Sequence, residues 1–557
     1  MAGRLRLSTI LIVGCASVTT LTPQYAAAQH QRLTLLHTSD LHGSVLPWDD
    51  FRNRPADGSL AQVATLVEEI RHEGDGTVLV LDSGDTIQGT PLEQFPHVRW
   101  SEPSPTIATM NLIGYDAMAV GNHEFNFGLE VLRRAEEQAD FPFLSANTIA
   151  ETTGTPAFQT HMVIKAGDIR VGVIGMVTPN IPGWERPEHY RGLIFRPMDE
   201  VAREQVRLLR DKEDCDLIVL LAHTGFEKDL DDGASSGTEH EDFAWRLAQI
   251  PGVDVLLTGH THRDIPPRKV GGAIVSQPRA RARLLTRIDL DFEHGTDGWR
   301  IASWEGRNLP LIDVVPDETI KASMAELHHR VAKALDGPVG NVTEALSVAG
   351  CRLRDCAALD LIHRVQLEAS GADLSLASLL TDRTPDLSAG PVTWRWIYAF
   401  YVYPNTLVKV AVSGAEIKDI LEHAARYYDG LDCASNTGCT LLTDATIPHY
   451  NVDTMAGVSY RLDPTREVGH RVRDMRIQGH AVDLHQVFTL VCNNYRAAGG
   501  GGYPHLAETE VVWQSSDEMT DLIGDFIARN GSWQPEIDNN WWIAPALTTE
   551  STTVVTP

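Results

Sequence analysis

Short apolar runs alternate with amphipathic, helix-like stretches through the first half of the chain. A mostly apolar run of this kind, bounded by polar helical patterns, is typical of a strand that is buried on both faces of an α/β sheet. The pattern therefore predicts an α/β domain over residues 29–310. The runs that carry this prediction are Leu33–Leu36, Val78–Leu81, Val171–Val177, Leu217–Leu221 and Val253–Leu257.

The pattern changes after residue 310. Pro316 opens a helical periodicity from Asp317 to about Leu335, and Asp336-Gly337-Pro338 ends it. Residues 311–340 are therefore expected to form a helical connector, residues 341–545 a second domain, and residues 546–557 a polar tail. Within the second domain, Trp394 and Trp396 are spaced so that they would line one face of a strand, where packing is their expected role.

The N-terminus has the features of a signal peptide over residues 1–28. Two arginines precede the uncharged, mostly apolar stretch Leu7–Leu21, and Ala26-Ala27-Ala28 offers a small-residue cleavage site. The protein is therefore expected to be exported, to the periplasm or the exterior, with no membrane span in the mature chain. Two alternatives stay open: a retained anchor, although a span needs roughly 20 residues, and a lipoprotein attached through Cys15, since Ile12–Cys15 resembles a lipobox.

Export would also permit disulfides among the six cysteines that follow residue 28. Cys351 and Cys356 are close enough in sequence to close a small loop, and so are Cys433 and Cys439. Neither pair has the spacing of a zinc ribbon, and the sequence leaves the pairing open.

The charge balance narrows the class of ligand. The chain has 47 Lys and Arg against 75 Asp and Glu, a formal net charge of −28. Such a surface repels polymeric nucleic acid, and it also repels a free phosphate ester unless a local positive centre overrides the average. A metal site would supply such a centre.

Polar side chains follow five of the predicted strands at the points where the strands end. In open α/β sheets the carboxyl ends of the strands are where ligands bind, so these side chains are expected to converge on one site. Among 22 histidines, one His after a strand is weak evidence, and His37, inside the first strand, is expected to be structural. The convergence rests on the whole ordered set: Asp40 and His42, Asp85, Asn122 and His123, His223, and His260 and His262.

These residue types suit a pair of divalent metal ions. Carboxylate, imidazole and amide oxygen together fit Zn, Mn, Co or Fe better than Ca, which prefers oxygen ligands alone. A carboxylate can bridge two ions about 3.5–4 Å apart, and the ions lower the pKa of bound water to give a nucleophile near neutral pH. The sequence therefore predicts two divalent metals of undecided identity.

The motifs resemble those of the calcineurin-like metallophosphoesterases, and the chain from about Leu33 to about Pro545 resembles the two-domain 5'-nucleotidase family. The resemblance implies a four-layer β-sandwich flanked by helices, a helical connector and a C-terminal α+β substrate-binding domain. It implies that His123 stabilises the transferring phosphoryl group without binding metal. One metal would be held by Asp40, His42, Asp85 and His262, and the other by Asp85, Asn122, His223 and His260, with Asp85 bridging.

Position 126 departs from the pattern of the 5'-nucleotidases, which usually have there an Asp that orients the catalytic His. Asn126 can hold an imidazole ring but cannot stabilise its charged form as a carboxylate does. With Asn, the motif looks like that of the periplasmic 2',3'-cyclic-nucleotide 2'-phosphodiesterase/3'-nucleotidases, and Gly172–Pro179 and Tyr450–Thr454 agree. Gly43, after His42, looks more like the 5'-nucleotidase branch.

The strongest motif of the second domain is Asn493–Tyr503, with its run of four glycines. Composition alone favours a glycine-rich turn with a core tyrosine. The resemblance instead implies two aromatic residues that clamp the base, with Tyr503 as one and Tyr450 as the choice for the other. Arg383 resembles a phosphate- or ribose-contacting Arg of the family, although an ordinary surface Arg explains it equally well.

The expected function is nucleotide scavenging by a phosphoric ester hydrolase that opens 2',3'-cyclic nucleotides and then hydrolyses the 3'-monoester. Its partner would be a small nucleotide and not a polymer. One rival is the same chemistry on 5'-nucleotides or nucleotide sugars. Another is a catalytically inactive, nucleotide-binding or adhesive surface protein, which the intact set of matched site residues disfavours. Oligomeric state and domain motion are left open.

Overall fold

The computed structural model describes residues 30–544, except for residues 75, 236–237, 297, 436–437 and 516 and the side chains of residues 432–440. The predicted signal peptide, the lipid-attachment alternative at Cys15 and the predicted tail lie outside these residues. Within the described part of the chain, no helix is both long and apolar enough to cross a membrane.

Two six-stranded sheets form the first half of the molecule. The first sheet has the order Gly298–Pro310, Leu284–Gly295, His30–Thr38, Thr77–Asp82, Ala117–Ala119 and Phe143–Leu144. The second has the order Asp264–Val270, Ala273–Pro278, Val255–Thr258, Leu217–His223, Ile169–Val177 and His161–Ala166. Each of the five predicted apolar runs lies in one of these strands or overlaps it.

The inner faces of the two sheets pack against each other. Leu35 and Leu81 of the first sheet share a fully buried cluster with Val173 and Val219 of the second. The outer face of the first sheet packs on helices Leu60–His72, Pro105–Ile113 and Gly128–Gln138, and that of the second on Met198–Asp211 and Ala244–Ala248. Burial on both faces explains why the strands read as apolar runs, and the predicted four-layer sandwich is confirmed.

The central strands of each sheet run parallel, which brings their carboxyl ends to one edge. In the first sheet, His30–Thr38, Thr77–Asp82 and Ala117–Ala119 are parallel neighbours. In the second, Leu217–His223 lies between the parallel strands Ile169–Val177 and Val255–Thr258. The loops that carry the predicted ligands therefore all leave the sandwich at the same edge.

The helix predicted between the two halves spans Glu318–Leu335. The carboxylate of Asp317 caps it by accepting a hydrogen bond from the backbone N–H of Ile320 at 2.8 Å. Its apolar face, including Met324 and Val331, packs into the core beside the first sheet.

The second half is a mixed α+β arrangement. A five-stranded sheet has the order Asp453–Ala456, Leu374–Ser378, Val487–Asn493, Leu407–Ser413 and Val511–Gln514. A three-stranded sheet comprises Gly390–Thr393, Pro338–Val342 and Ser532–Trp533, and a four-stranded sheet His480–Ala481, Val472–Ile477, Ser459–Leu462 and Trp541–Ile543. The helices are Ala357–Ser370, Trp394–Phe400, Gly414–Ala424, Asn494–Ala497 and Met519–Asn530.

Short elements complete the fold. Pro91–Glu93 leads into the π-helical segment Gln94–Arg99, and 3₁₀ turns span His123–Phe125, Ile181–Gly183, Ala425–Tyr427, His449–Asn451, Gly500–Gly502 and Leu506–Glu508. Two-stranded pairs join Trp48–Asp49 to Arg54–Pro55, Thr148–Ala150 to Leu193–Phe195, and Tyr428–Ser435 to Gly438–Thr443.

The strand expected around Trp394 and Trp396 is wrong, because both residues lie in the helix Trp394–Phe400. Thr393 is the last residue of the strand Gly390–Thr393 and caps this helix, so the extended segment ends there. The two side chains nevertheless pack into the core, as expected: Trp396 is buried, and Trp394 lies against the same cluster.

The cysteines separate into bonded and free. Cys351 and Cys356 form a disulfide with their Cα atoms 5.3 Å apart. Cys215 and Cys492 are buried thiols. The side chains of Cys433 and Cys439 lie outside the described set, so that pairing stays a prediction.

Candidate active site

Five of the predicted ligands have left-handed backbone conformations that residues other than glycine rarely adopt. Their φ angles are 51° at Asp40, 47° at His42, 60° at Asp85, 73° at His260 and 55° at His262. Such strain persists only where surrounding contacts fix it, and it clusters at functional sites. The loops are therefore shaped to aim these side chains at one place.

Glu124 fixes two of these loops. Its buried carboxylate accepts hydrogen bonds from the backbone N–H groups of Asp85 at 2.8 Å, Thr86 at 2.6 Å and Gly121 at 2.6 Å. Gly84 allows the same close approach, because a Cβ there would lie 2.6 Å from the nitrogen of Gly121. Glu124 was given no role from the sequence.

Asp40, His42 and His262 form one cluster of donor atoms. Nε2 of His262 lies 3.1 Å from Nε2 of His42 and 3.3 Å from Oδ1 of Asp40. The three ligand atoms lie within 4.8 Å of one another, so one ion could contact all of them. This set is the one predicted for the first metal, apart from Asp85.

Asp85, His223 and His260 form the second cluster, with the amide of Asn122 beside them. Nε2 of His223 lies 3.1 Å from Oδ2 of Asp85 and 3.0 Å from Oδ1 of Asn122. Oδ1 of Asn122 also lies 2.9 Å from Nδ1 of His260. The structure thus brings together all four residues predicted for the second metal.

The donor sets fit divalent transition metals. Each cluster joins a carboxylate to two imidazoles, and amide oxygen is added in the second. Nδ1 of His223 lies 2.8 Å from the carbonyl oxygen of Ser83, to which it can donate, leaving Nε2 to face the cluster. Nδ1 of His42 is likewise 3.1 Å from the carbonyl of Gln88. These contacts orient the rings as metal ligands require.

In each cluster, the carboxylate raises the pKa of one neighbouring histidine. Burial lowers the pKa of His42 and of His260 to about 3, so both rings are neutral at pH 7. Burial also acts to lower the pKa of His223, but Asp85 outweighs it and raises that pKa to about 10. His262 likewise has a raised pKa, because its hydrogen bond and charge interaction with Asp40 outweigh burial. Without metal, His223 thus holds a proton beside Asp85, and Asp40 favours the protonated form of His262.

Asp85 belongs to the second cluster, but its negative charge also acts on the first. Its carboxylate contacts His223 directly, and its charge also favours the protonated forms of His42 and His262 in the first cluster, although burial keeps the pKa of His42 low. Its other oxygen, Oδ1, accepts a hydrogen bond from the backbone N–H of His123 at 2.8 Å. This position suits the bridging role that the resemblance implies.

His123 stands at the edge of the clusters without joining either. Its ring lies 5.3 Å from that of His42, and its Nε2 is 3.9 Å from Oδ2 of Asp85. Nδ1 is 2.6 Å from Oδ1 of Asn126, and the amide nitrogen of Asn126 donates to Oε1 of Glu185. A carboxylate is therefore present one side chain beyond the amide, a connection that the sequence analysis missed.

His37 is a structural residue, as expected. It is fully buried, its Nε2 lies 2.7 Å from the hydroxyl of Ser83, and burial lowers its pKa to about 3. It thus supports the strand end that carries Asp85, and it is a member of neither cluster.

Tyr503 does not offer a face for a base in this arrangement, so its predicted role is corrected. It is only 4% exposed, and its hydroxyl donates to the carbonyl of Asn451 at 2.9 Å. The guanidinium of Arg496 lies 4.1 Å from the ring centroid, and the ring of His423 is 4.5 Å away. The glycine run is flanked by two tyrosines, and the sequence alone does not show which one enters the core.

Three other tyrosines stand where the second domain meets the first. Tyr450 is 37% exposed, Tyr403 is 39% exposed, and Tyr495 is half-buried at the start of the glycine motif. Burial raises the pKa of Tyr495, with smaller effects from Tyr450 and Tyr403, so the three hydroxyl groups lie near one another. The neighbouring Asn494 donates to the carbonyl of Trp184 at 3.0 Å.

Two further residues connect these aromatics to the clusters. The ring of Trp184 lies 5.2 Å from that of His260. On the other side, the positive charge of Arg281 acts on Tyr403 and also on His42 and His262. The tyrosines therefore lie near the metal clusters, at the boundary between the two domains. Neither Trp184 nor Arg281 was given a role from the sequence.

Arg383 lies in a different part of this boundary. Its carbonyl accepts hydrogen bonds from Nε and Nη2 of Arg52, and its side chain lines a cavity of about 740 Å³. The structure therefore leaves its substrate contact a prediction.

Comparison with known proteins agrees with this architecture. Residues 33–264 match the calcineurin-like phosphoesterase family, and residues 338–508 match the 5'-nucleotidase C-terminal domain. The chain is 27% identical to a 2',3'-cyclic-nucleotide 2'-phosphodiesterase/3'-nucleotidase from Yersinia enterocolitica, covering 95% of this chain and 90% of that protein.

Two further relatives differ in length or in assignment. The trifunctional nucleotide phosphoesterase protein YfkN of Bacillus subtilis is 28% identical over 96% of this chain, which spans 40% of that protein's length. A Staphylococcus aureus structure assigned as a 5'-nucleotidase, in complex with alpha-ketoglutarate, is 29% identical with a TM-score of 0.81, covering 92% of this chain and all of the other.

Proposed function

Since the chain belongs to the calcineurin-like phosphoesterases that carry a 5'-nucleotidase C-terminal domain, we propose that it hydrolyses nucleotide phosphoesters as a 2',3'-cyclic-nucleotide 2'-phosphodiesterase and 3'-nucleotidase. The observation that carries this proposal is the pair of metal-type clusters beside a histidine held by Asn126. The names of the relatives from Yersinia enterocolitica and Haemophilus influenzae support the same choice of substrate.

The two clusters would hold two divalent ions, of which Zn, Mn, Co and Fe are the candidates. When bound, such ions lower the pKa of water and neutralise phosphoryl oxygens. Asp85 would bridge them, because its carboxylate acts on both clusters. Asp40, His42 and His262 would complete one site, and Asn122, His223 and His260 the other.

His123 would stabilise the phosphoryl group as charge moves on it. Asn126 accepts from Nδ1, which leaves Nε2 on the side of the clusters, where the doubly protonated ring can donate to a phosphoryl oxygen. The carboxylate of Glu185 would stabilise the charged ring through the amide of Asn126. Glu185 thus acts as a positioning residue in place of the Asp that this chain lacks at position 126.

The reaction would proceed by two additions of water. The first breaks the bond between phosphorus and the 2' oxygen, so that the 2' hydroxyl takes a proton and the phosphate stays on the 3' oxygen. The second breaks the bond to the 3' oxygen and releases inorganic phosphate and the nucleoside. His123 would contact the phosphoryl group in both steps.

The nucleoside would lie between the domains. Tyr450 and Tyr403 are the most exposed of the aromatic residues at this boundary, and Tyr495 lies beside them. An aromatic face binds any base by stacking, which is worth about 1–3 kcal/mol. We assign the base to this cluster and not to Tyr503.

Export is part of the proposal. The disulfide between Cys351 and Cys356 is consistent with an oxidising compartment. The predicted signal peptide would direct the chain there, to the periplasm or the exterior.

Hydrolysis of 5'-nucleotides is the second candidate, since the Staphylococcus aureus structure covers 92% of this chain at a TM-score of 0.81. Comparing 2',3'-cyclic AMP, 3'-AMP and 5'-AMP, with Mn or Co and with chelator, tests the choice. We expect kcat/KM for the first two to exceed that for 5'-AMP by at least tenfold, and chelator to abolish all three activities. A preference for 5'-AMP would overturn the proposed specificity, and no turnover of any nucleotide would overturn the function.

A further inference from the structure

A basic cavity lies beside the proposed active site. It has a volume of about 740 Å³, and five arginines and two aspartates line it, for a net charge of +3 (5 − 2). This is the reverse of the overall charge of −28. The arginines are Arg52, Arg54, Arg279, Arg283 and Arg383.

Most of this positive charge is not neutralised within the protein. Asp49 pairs with Arg52 at 2.6 Å and reaches Arg54 at 3.9 Å. Among the described residues, the guanidinium groups of Arg279, Arg283 and Arg383 make no hydrogen bond or ion pair. Like charges held together repel one another unless an anion is bound between them. We call this set of five residues the arginine pocket.

The backbone that carries the pocket is strained. Arg279, Arg281 and Ala282 have φ angles of 63°, 61° and 47°, and these are conformations that a disordered surface loop would avoid. The backbone N–H of Arg281 donates to the carbonyl of Asp40 at 2.7 Å. The segment 279–283 is thus fixed directly to the loop of the first metal cluster.

Arg281 makes the positive charge continuous from the clusters to the pocket. Arg281 lies between Arg279 and Arg283 in sequence, and its backbone donates to the carbonyl of Asp40 in the first metal cluster. Burial contributes most to its lowered pKa, and Arg283 and Arg383 of the pocket lower it further. A phosphorylated ligand bound at the clusters would therefore meet a second positive region next to it.

We propose that the arginine pocket binds a second phosphoryl group of a substrate whose other phosphoryl group is cleaved at the metal clusters. The substrate class is a nucleotide phosphorylated at two positions, such as a nucleoside 3',5'-bisphosphate. Several guanidinium groups in one cavity suit a phosphate, because each can donate two parallel hydrogen bonds to its oxygens. This inference rests on the proposed function.

The test compares adenosine 3',5'-bisphosphate with 3'-AMP in the wild type and in the double variant Arg279→Ala/Arg283→Ala. These side chains are exposed, so their removal should leave the fold intact. We expect KM for the bisphosphate to rise about tenfold or more, since charge-assisted contacts are lost, and KM for 3'-AMP to change less than about twofold. The matched control Arg203→Ala/Arg207→Ala removes the same charge from an exposed helix face and should change neither.

Binding of inorganic pyrophosphate to chelator-treated protein separates this inference from the proposed function. We expect the wild type to bind it about tenfold more tightly than the pocket variant, whether or not a nucleotide is hydrolysed. Equal affinities would overturn the anion site. A second outcome is that the pocket variant binds pyrophosphate more weakly than the wild type and yet turns over the bisphosphate with no selective change in KM. That result would overturn the role of the pocket as a substrate subsite. If neither nucleotide is turned over, the proposed function fails, and with it the substrate role.

Discussion

The side-chain oxygen of Asn126 lies 2.6 Å from Nδ1 of His123. The amide nitrogen of Asn126 turns the other way and donates to Glu185, whose second oxygen lies 2.9 Å from Nδ1 of His189. An amide between an imidazole and a carboxylate transmits polarisation without carrying charge itself. The chain thus has a carboxylate behind His123 despite the Asn at position 126.

If Glu185 stabilises charged His123 through this amide, Glu185→Gln should lower kcat about 10- to 100-fold, the usual range for an outer partner of a functional histidine. Metal content should not change, because Glu185 contacts no predicted ligand directly. Steady-state kinetics with elemental analysis measures both quantities. Glu188→Gln is the matched control, since Glu188 is exposed in the same loop. Equal effects of the two substitutions would remove Glu185 from the mechanism.

Moving the carboxylate to position 126 tests the same connection, from His123 through residue 126 to residue 185, which we call the relay. Asn126→Asp alone would place two carboxylates in contact, with the donor to Glu185 lost, so kcat should fall. The double variant Asn126→Asp/Glu185→Gln restores one carboxylate and one amide in exchanged positions, and kcat should recover to within about threefold of wild type. A double-mutant cycle on kcat measures the coupling, and strictly additive losses would contradict the relay.

His123→Asn should lower kcat by about 10²- to 10⁴-fold, because a group that assists phosphoryl transfer is lost. KM should change little, and bound metal should stay at the wild-type level, since His123 belongs to neither cluster. Loss of an ion in this variant would make His123 a ligand and contradict its proposed role.

The assignment of the base predicts different outcomes for two tyrosines. Tyr450→Ala should raise KM for 2',3'-cyclic AMP with little effect on kcat, since stacking binds ground and transition states alike and is worth about 1–3 kcal/mol. Hydrolysis of bis(p-nitrophenyl) phosphate, which has no base, should be spared. Tyr503→Ala should instead lower the melting temperature, because the ring is buried. Tyr450→Ala losses that are equal on both substrates would contradict the base assignment.

Metal binding should release protons and tighten as pH rises. His223, with a pKa of about 10 next to Asp85, is protonated at pH 7 without metal, and the raised pKa of His262 favours its protonated form. An ion must displace these protons, so one proton released per ion would make apparent affinity about tenfold tighter for each unit of pH. Calorimetry in two buffers of different ionisation enthalpy measures the release between pH 6 and 8. Affinity that is independent of pH would contradict the protonation scheme.

The metal clusters could be anticipated because each ligand follows a buried strand. Parallel strands send their carboxyl ends to one edge, so apolar runs in sequence order were enough to bring Asp40, Asp85 and His260 together. The backbone strain at these residues could not be anticipated, since φ depends on tertiary contacts such as those of Glu124. The same limit applies to Glu185, which reaches Asn126 from 59 residues away.

The cleft between the domains was harder to predict for a different reason. Tyr495 and Tyr503 flank the same glycine run, and which ring is covered is decided by Arg496 and His423, which come from separate elements. Likewise, Trp394 and Trp396 lie in a helix despite their spacing of two, and both contact the same core cluster. Sequence periodicity over so few residues does not separate these alternatives.

The most direct test of the central claim is the add-back of Mn to metal-stripped protein, with bound ions and turnover of 2',3'-cyclic AMP counted on the same samples. Asp85→Ala serves as the control that should hold neither ion firmly, because its carboxylate would bridge both. The account predicts no turnover without metal and a rise that reaches its maximum at two ions per chain. Turnover by the stripped protein, or a maximum at one ion, would contradict it.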